Sequence, residues 1–300
     1  MTARRGHPPE WTTRRERGTT QTIRFIVWVA LGLGRRAARL LLYPICGYFL
    51  VFSLRSRRAS RDYLGRVLGR RPGIIDVFRH YHSFAACALD RVFLLNDQLD
   101  RYDITVHGEA IVRDILQQGS GCLLFGAHFG SFEVVRAVGR QQPDLRVSLV
   151  MYEENARKIG AALNAINPRL ALDVIALGRS GSLIEAEARL DAGHFVGILA
   201  DRVLNGEEQR RIDFLGAPAA FPLGPFRMAA LLQRPVVLMF GVYRGGKRYD
   251  IFFERLPLGD DAERGRAEQA ERALAGYVAR LEAYCRDAPF NWFNFHDFWQ

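Results

Sequence analysis

The 300-residue chain lacks several of the patterns that would assign it at once. Its four cysteines, Cys46, Cys87, Cys122 and Cys285, are far apart, with no Cys-x-x-Cys pair and no histidine at ligand spacing. That argues against a zinc site or a disulfide framework and fits buried thiols in a reducing cytoplasm. No Gly-x-Ser-x-Gly elbow is present, since Gly178-Arg-Ser180-Gly-Ser182 lacks the second glycine at the right spacing. A serine hydrolase of that type is thereby disfavoured. Phe125-Gly-Ala-His-Phe-Gly fits neither a dinucleotide fingerprint nor a phosphate-binding loop. No internal repeat is visible, and no apolar run reaches the roughly 20 residues of a simple membrane span.

What is present begins with an uneven charge. The formal net charge is +10, but residues 1–71 hold 16 arginines against Glu10, Glu16 and Asp62, a net of +13, and the remainder sums to −3. The body is close to neutral, so the basic excess is not a nucleic-acid footprint spread over a domain. The same basic quarter carries the longest apolar runs, Ile23 to Gly34 interrupted by Arg24, and Leu40 to Leu54 with Pro44 inside. Arginines flank both runs, which suits a helical pair lying against an anionic leaflet. A tilted span across the pair and a buried core helix are the other readings. A secretory signal is rejected, because the run starts late and ends in Gly-Arg-Arg rather than in a small-residue cleavage site.

Residues 1–20 are polar and read as a flexible or surface-hugging tail. Ser60 to Leu95 has helical spacing of apolar residues. From Ile104 onward, short β-branched runs alternate with amphipathic stretches, predicting an α/β mixed sheet flanked by helices. The predicted strands are Gly121–Gly126, Arg146–Tyr152, Asp173–Leu177, Phe195–Ala200, Val236–Val242 and Tyr249–Glu254. The predicted helices are Glu153–Ile166, Ser180–Ala192 with Ser180 as cap, Pro222–Gln233 and Ala262–Arg286.

The densest chemical signal is Leu123-Leu-Phe-Gly-Ala-His128-Phe-Gly-Ser-Phe-Glu133. An apolar strand runs into a small-residue turn bearing a histidine, and a helix begins near Ser131. Ligands bind above strand ends in α/β sheets, and Gly126 and Gly130 leave room for one. Histidine is the usual base where a weak alcohol nucleophile must lose its proton near neutral pH. Glu133, in the first turn of the helix, is expected to fold back onto the imidazole and hold its tautomer. The plainer alternative is a strand-end histidine bonded to a carbonyl and a glutamate that complements the helix dipole.

This block resembles the H-x4-D/E motif of the lysophospholipid acyltransferase superfamily, and most closely the late acyltransferases of bacterial lipid A biosynthesis. Asp201-Arg202, then Arg211-Ile-Asp-Phe214-Leu-Gly216-Ala-Pro218-Ala and Gly224, is similar to a second run of that family. The resemblance implies His128 as base and Glu133 as its catalytic partner. It implies Gly126, Gly130, Asp201, Arg202 and Arg211 around the substrate, with Arg157 as an anion contact. It implies no metal and no cofactor. The donor would be an acyl carrier protein or coenzyme A thioester, the acceptor a lipid hydroxyl, and the location the cytoplasmic face of the cell inner membrane, with anionic lipids but no nucleic acid as partners. Residues 1–58 would then be the membrane-associating segment and 59–300 the catalytic domain.

The carboxyl terminus departs from that family. Pro289-Phe-Asn-Trp292-Phe-Asn-Phe-His296-Asp-Phe-Trp299 resembles the tails of acyltransferases from aryl polyene or related pigment-lipid pathways, which leaves the acceptor open. The tail reads as an aromatic plug on the core, or as an acyl-tunnel wall or membrane-interface belt. His296 could in principle be catalytic but has no evident partner in the sequence. A peripheral membrane adaptor is the non-enzymatic alternative, and it leaves the His128 block without a purpose.

Overall fold

The computed structural model describes residues 20–167, 173–177, 181–203, 206–259 and 265–299. The tail 1–19, Ser180 and the expected start of the last helix at Ala262 lie outside them. The chain runs through α1 (Thr20–Phe52), α2 (Leu54–Leu68) and α3 (Ile74–Leu94), then β1 (Asp103–His107), α4 (Glu109–Gln117), β2 (Cys122–Gly126), α5 (Phe132–Gly139) and β3 (Val147–Tyr152). There follow α6 (Glu153–Ile166), β4 (Val174–Leu177), α7 (Ser182–Asp191), β5 (Phe195–Leu199), β6 (Gln209–Phe214) and β7 (Ala217–Pro222). The last elements are α8 (Gly224–Leu232), β8 (Val236–Gly245), β9 (Arg248–Arg255) and α9 (Arg266–Asp287).

The fold is α/β, as the alternation of runs predicts. Seven strands form one sheet in the order β1-β9-β8-β2-β5-β3-β4, parallel except for the β8–β9 pair. Strand β2 is central and fully buried, which explains its uninterrupted Cys-Leu-Leu-Phe run: helices cover both faces, so neither side alternates with polar residues. Successive side chains point to opposite faces. Leu123 and Phe125 pack in one core with Leu64 of α2, Phe226 of α8 and Tyr277 of α9, while Cys122 and Leu124 pack in the other with Leu89 of α3, Val112 of α4 and Val134 of α5. The hairpin β6–β7, which the sequence pattern does not predict, lies between β5 and α8 and forms its own two-stranded sheet.

The expected helix from Ser60 to Leu95 is two helices. Gly69 takes a left-handed conformation (φ 63°) that ends α2, and Pro72 precedes the start of α3. Asp76 reaches back to the Gly73 N–H at 2.8 Å and closes the N-terminus of α3.

Helix α1 is broken at Gly34 (φ 79°) and packs along α3. Arg35 forks onto Asp90 of α3, with Nε–Oδ1 and Nη2–Oδ2 both at 2.8 Å, and the hydroxyl of Tyr249 donates to Asp90 Oδ2 at 2.8 Å. No single described helix is long and apolar enough to cross a membrane, although α1 from Trp28 and α2, bent by 97°, have the length and composition together.

Candidate active site

Strands β2 and β5 are parallel neighbours in register, with Gly126 opposite Leu199. The next residues therefore leave the sheet side by side at its carboxyl edge, Ala127-His128 from one strand and Ala200-Asp201 from the other. The carbonyl of Gly126 ties the two ends together, accepting from the Ala200 N–H at 3.0 Å and from the Tyr277 hydroxyl at 2.8 Å.

His128 and Asp201 are joined twice. The imidazole Nδ1 lies 2.8 Å from Asp201 Oδ1, and the backbone N–H of His128 donates to Oδ2 at 3.0 Å. A carboxylate only accepts, so Nδ1 carries the hydrogen and Nε2 carries the lone pair. The His128 side chain keeps 34% of its exposure, whereas Asp201 keeps 1%, so solvent reaches the imidazole and not the carboxylate. A third donor, the indole N–H of Trp292, meets Asp201 Oδ2 at 3.0 Å.

Burial alone would push the Asp201 carboxyl up. The charges of His128 and Arg202 and the hydrogen bonds from His128 and Trp292 outweigh it, and the group stays ionised well below the usual carboxylate range. Burial lowers the His128 pKa, the neighbouring charge of Arg202 lowers it further, and Asp201 opposes both. The imidazole is thus kept neutral and basic at neutral pH, with a fixed anion ready to stabilise its protonated form.

The loop after His128 is built for close approach. Gly130 has φ 61°, and a Cβ there would fall on the carbonyl oxygen of Gly241 in β8. Its N–H donates to the Asn291 carbonyl at 2.7 Å, and the Ser131 N–H to Gly241 at 2.7 Å. Ser131 then caps α5, its hydroxyl accepting from the Val134 N–H at 3.3 Å. With the Phe129 N–H bonded to the Ala127 carbonyl at 2.6 Å, every backbone N–H from His128 to Ser131 is committed. Arg202 holds the tail through Nη2 to the Phe293 carbonyl at 3.0 Å, and its buried Nε has no hydrogen-bond partner among the described residues.

The expected fold-back of Glu133 onto His128 is corrected. Its Oε1 is ion-paired with Arg91 of α3, 2.7 Å from Nε, because the first turn of α5 directs the side chain toward α3 while the imidazole turns to β5. Of the other expected residues, Gly126, Gly130, Asp201 and Arg202 gather with His128. Arg157 on α6 and Arg211 on β6 stand exposed and take no part in the hydrogen bonds of the His128–Asp201 pair. Sequence reasoning missed Trp292 as a partner of that pair and Tyr277 as a tie on the strand end. The signal available for Asp201 was its place just past a strand of the same length as β2.

A second Ser–His–Asp group lies at the opposite edge of the sheet. Ser148 donates to Asp173 Oδ2 at 2.6 Å and meets His194 Nδ1 at 2.9 Å. The serine is the middle member and gives its proton to the aspartate, so His194 cannot activate it, and the group is structural.

A search of curated proteins returns no match to the chain. The model of the bacterial lipid A biosynthesis acyltransferase family matches residues 14–300, which include the His128 block, the Asp201-Arg202 pair and the aromatic tail. A neutral histidine held by a buried aspartate at the carboxyl edge of an α/β sheet is consistent with that activity, and the chain belongs to the bacterial lipid A biosynthesis acyltransferases.

Proposed function

We propose that this lipid acyltransferase moves a fatty acyl chain from an acyl carrier protein or coenzyme A thioester to a hydroxyl of lipid A or a related glycolipid, at the cytoplasmic face of the inner membrane. The observation that carries the reading is the His128 imidazole, tied at Nδ1 to Asp201 and partly open to solvent. The acceptor oxygen attacks the thioester carbonyl while His128 Nε2 takes its proton, and Asp201 stabilises the imidazolium that results. The carbon–sulfur bond then breaks, and the departing thiolate recovers the proton from Nε2. Arg202 is the nearby cation that can receive the negative charge on the carbonyl oxygen, since the backbone N–H groups of the loop are already bonded. Arg157 and Arg211 are candidates for phosphate contacts further from the chemistry, and Glu133 contributes indirectly, by tying α5 to Arg91 on α3.

Residues 1–58 are the proposed membrane-attaching part. Trp28, Leu33, Leu40, Tyr43 and Phe52 of α1 are all more than half exposed, and Arg58 and Arg61 of the following α2 are exposed as well. That pairing of apolar and cationic side chains suits an anionic lipid surface.

The test supplies full-length protein with acyl carrier protein thioester or coenzyme A thioester, each with a lipid A precursor in anionic vesicles, and follows the acylated lipid by mass. Acylated lipid with the native protein and none with His128→Ala is the expected result. Undiminished transfer by folded His128→Ala would overturn the assignment of the base.

A further inference from the structure

The segment that carries Trp292 touches every polar member of the site. Gly130 N–H donates to the Asn291 carbonyl at 2.7 Å, and Phe293 N–H donates to the His128 carbonyl at 2.8 Å. Phe129 and Trp292 form an isolated antiparallel bridge, and Arg202 bonds the Phe293 carbonyl. Asn291 is itself pinned like a strand residue to β8, accepting from the Tyr243 N–H at 2.8 Å and donating to its carbonyl at 3.1 Å. The tail therefore runs antiparallel along the His128 loop, joined to it by a single bridge and by the Gly130 and Phe293 N–H bonds.

Trp292 is 1% exposed, with Tyr63 of α2, Phe214 of β6 and Phe298 packed edge-on against it at centroid distances of 5.0, 5.2 and 4.8 Å. Its carbonyl accepts from His80 Nε2 of α3 at 2.8 Å, and His80 Nδ1 is 2.8 Å from the Ser60 hydroxyl of α2. Two of the three hydrogen bonds to Asp201 come from His128 itself. These two would travel with the loop if it moved and cannot fix the carboxylate relative to the rest of the fold. The indole N–H is the donor that is also held from outside the loop, by the His80 bond to the Trp292 carbonyl and by the packing of Tyr63 and Phe214 on the ring.

We infer that Trp292 is a positioning residue for acyl transfer, and that residues 291–294 are a latch through which α2 and α3 hold the Asp201 carboxylate against Nδ1 of the His128 imidazole. The inference rests on the assignment of His128 as base and Asp201 as its partner. It differs from a purely apolar role for the tail in one respect: a ring of the same shape without an N–H would fill the space equally well and would not orient the carboxylate. A loosened Asp201 leaves substrate binding intact and weakens stabilisation of the imidazolium, which forms only as the proton moves. The loss therefore falls on kcat.

The experiment measures kcat, KM and the pH–rate profile of the full-length protein in anionic vesicles for Trp292→Phe. It repeats them for protein carrying 3-benzothienylalanine at position 292, which keeps the bicyclic ring and lacks the N–H. Phe298→Leu, in the same aromatic cluster and without a bond to the site, is the packing control, and His128→Ala tests the underlying assignment. For both residue-292 replacements we expect kcat to fall about 10- to 100-fold with KM changed by less than about twofold, and the acid limb displaced by about half a unit or more. Phe298→Leu should keep the native pH profile. Native kcat and an unmoved acid limb in the benzothienyl protein, with His128→Ala inactive, would overturn the role of Trp292 alone. Transfer surviving in folded His128→Ala would overturn the base assignment and this inference with it.

Discussion

His128 and Asp201 are separated by 73 residues in the chain, yet the aspartate accepts both the side-chain and the backbone N–H of the histidine, at 2.8 and 3.0 Å. One carboxylate thus sets the tautomer of the ring and the position of its main chain. Asp201→Asn keeps the shape but replaces one acceptor oxygen by an NH2, which meets either Nδ1–H or the backbone and indole N–H groups, so in either orientation a donor faces a donor and a bond is lost. A fall of at least about 100-fold in kcat is expected with folding intact, comparable to losing the base. Combining Asp201→Ala with His128→Ala should cost little beyond His128→Ala alone, because partners acting as a unit are non-additive. Initial rates of acyl transfer over the two single variants and the double variant decide it, and simple multiplication of the two losses would separate Asp201 from the base.

Gly130 and Gly241 are in direct backbone contact, and neither has space for a side chain. A Cβ at Gly130 meets the Gly241 carbonyl oxygen, and one at Gly241 meets the Ser131 carbonyl oxygen. Gly130→Ala also demands a positive φ from an L-residue, so the loop has to lift and release its bond to Asn291. A loss of roughly 2 kcal/mol or more in denaturant unfolding, with activity falling further than stability, is the expected outcome. Glycine here is needed for close approach as well as for dihedral freedom. Gly181, also at positive φ but with open space around its Cβ direction, should lose less stability on change to alanine.

The Asp90 side chain is fully buried and its fork to Arg35 crosses from α3 to α1. Removing the arginine strands a carboxylate away from water with the Tyr249 hydroxyl still bonded to it. Arg35→Ala should therefore destabilise by about 3–5 kcal/mol, and a paired Arg35→Met, Asp90→Leu replacement by less, since it removes the charge along with its partner. Urea midpoints of the three proteins measure this. The same bond makes the proposed membrane-attaching segment part of the folded body. A truncation through residue 58 would remove Arg35 and confound lipid attachment with unfolding, and vesicle binding is better probed by Leu33→Ser or Leu40→Ser on the exposed side.

Local sequence patterns are informative where an element makes its own case. The β2–loop–α5 block was legible because a continuous apolar run, two glycines and a capping serine lie within a dozen residues, and the α/β class followed from the alternation of runs. Two failures have long-range causes. Glu133 is close to His128 along the chain, and Asp201 is brought closer in space by the in-register pairing of β2 with β5, which no window around His128 contains. Trp292 reaches the same carboxylate because α9 carries the tail back across the sheet edge, so its aromatic surroundings were visible and its N–H partner was not. The hairpin β6–β7 was missed for a local reason. Its turn, Leu215-Gly216, has positive φ at both residues (52° and 81°), and leucine gives no warning of that conformation.

His80 links this architecture to pH. It is fully buried, its Nε2–H donates to the Trp292 carbonyl, and its Nδ1 accepts from the Ser60 hydroxyl, so the neutral ring is fully satisfied. Burial pushes its pKa down from 6.5 to about 4, against the opposing pull of the Trp292 carbonyl. As pH falls below about 6.5, the unfolded chain binds a proton here that the folded chain refuses until near 4. Stability is therefore complete above about 6.5 and declines through that window, by up to about 3 kcal/mol at its lower end. His80→Gln can keep an N–H aimed at the Trp292 carbonyl without a titrating ring. Between pH 7 and pH 5 the native protein should lose roughly 2 kcal/mol more than His80→Gln, read from urea unfolding at both values. His82, His194 and His128, whose pKa values burial also lowers, remain in both proteins and cancel in the comparison. Parallel losses in the two proteins would mean that His80 is not held neutral, and that the bond from α3 to the Trp292 carbonyl does not have the form described.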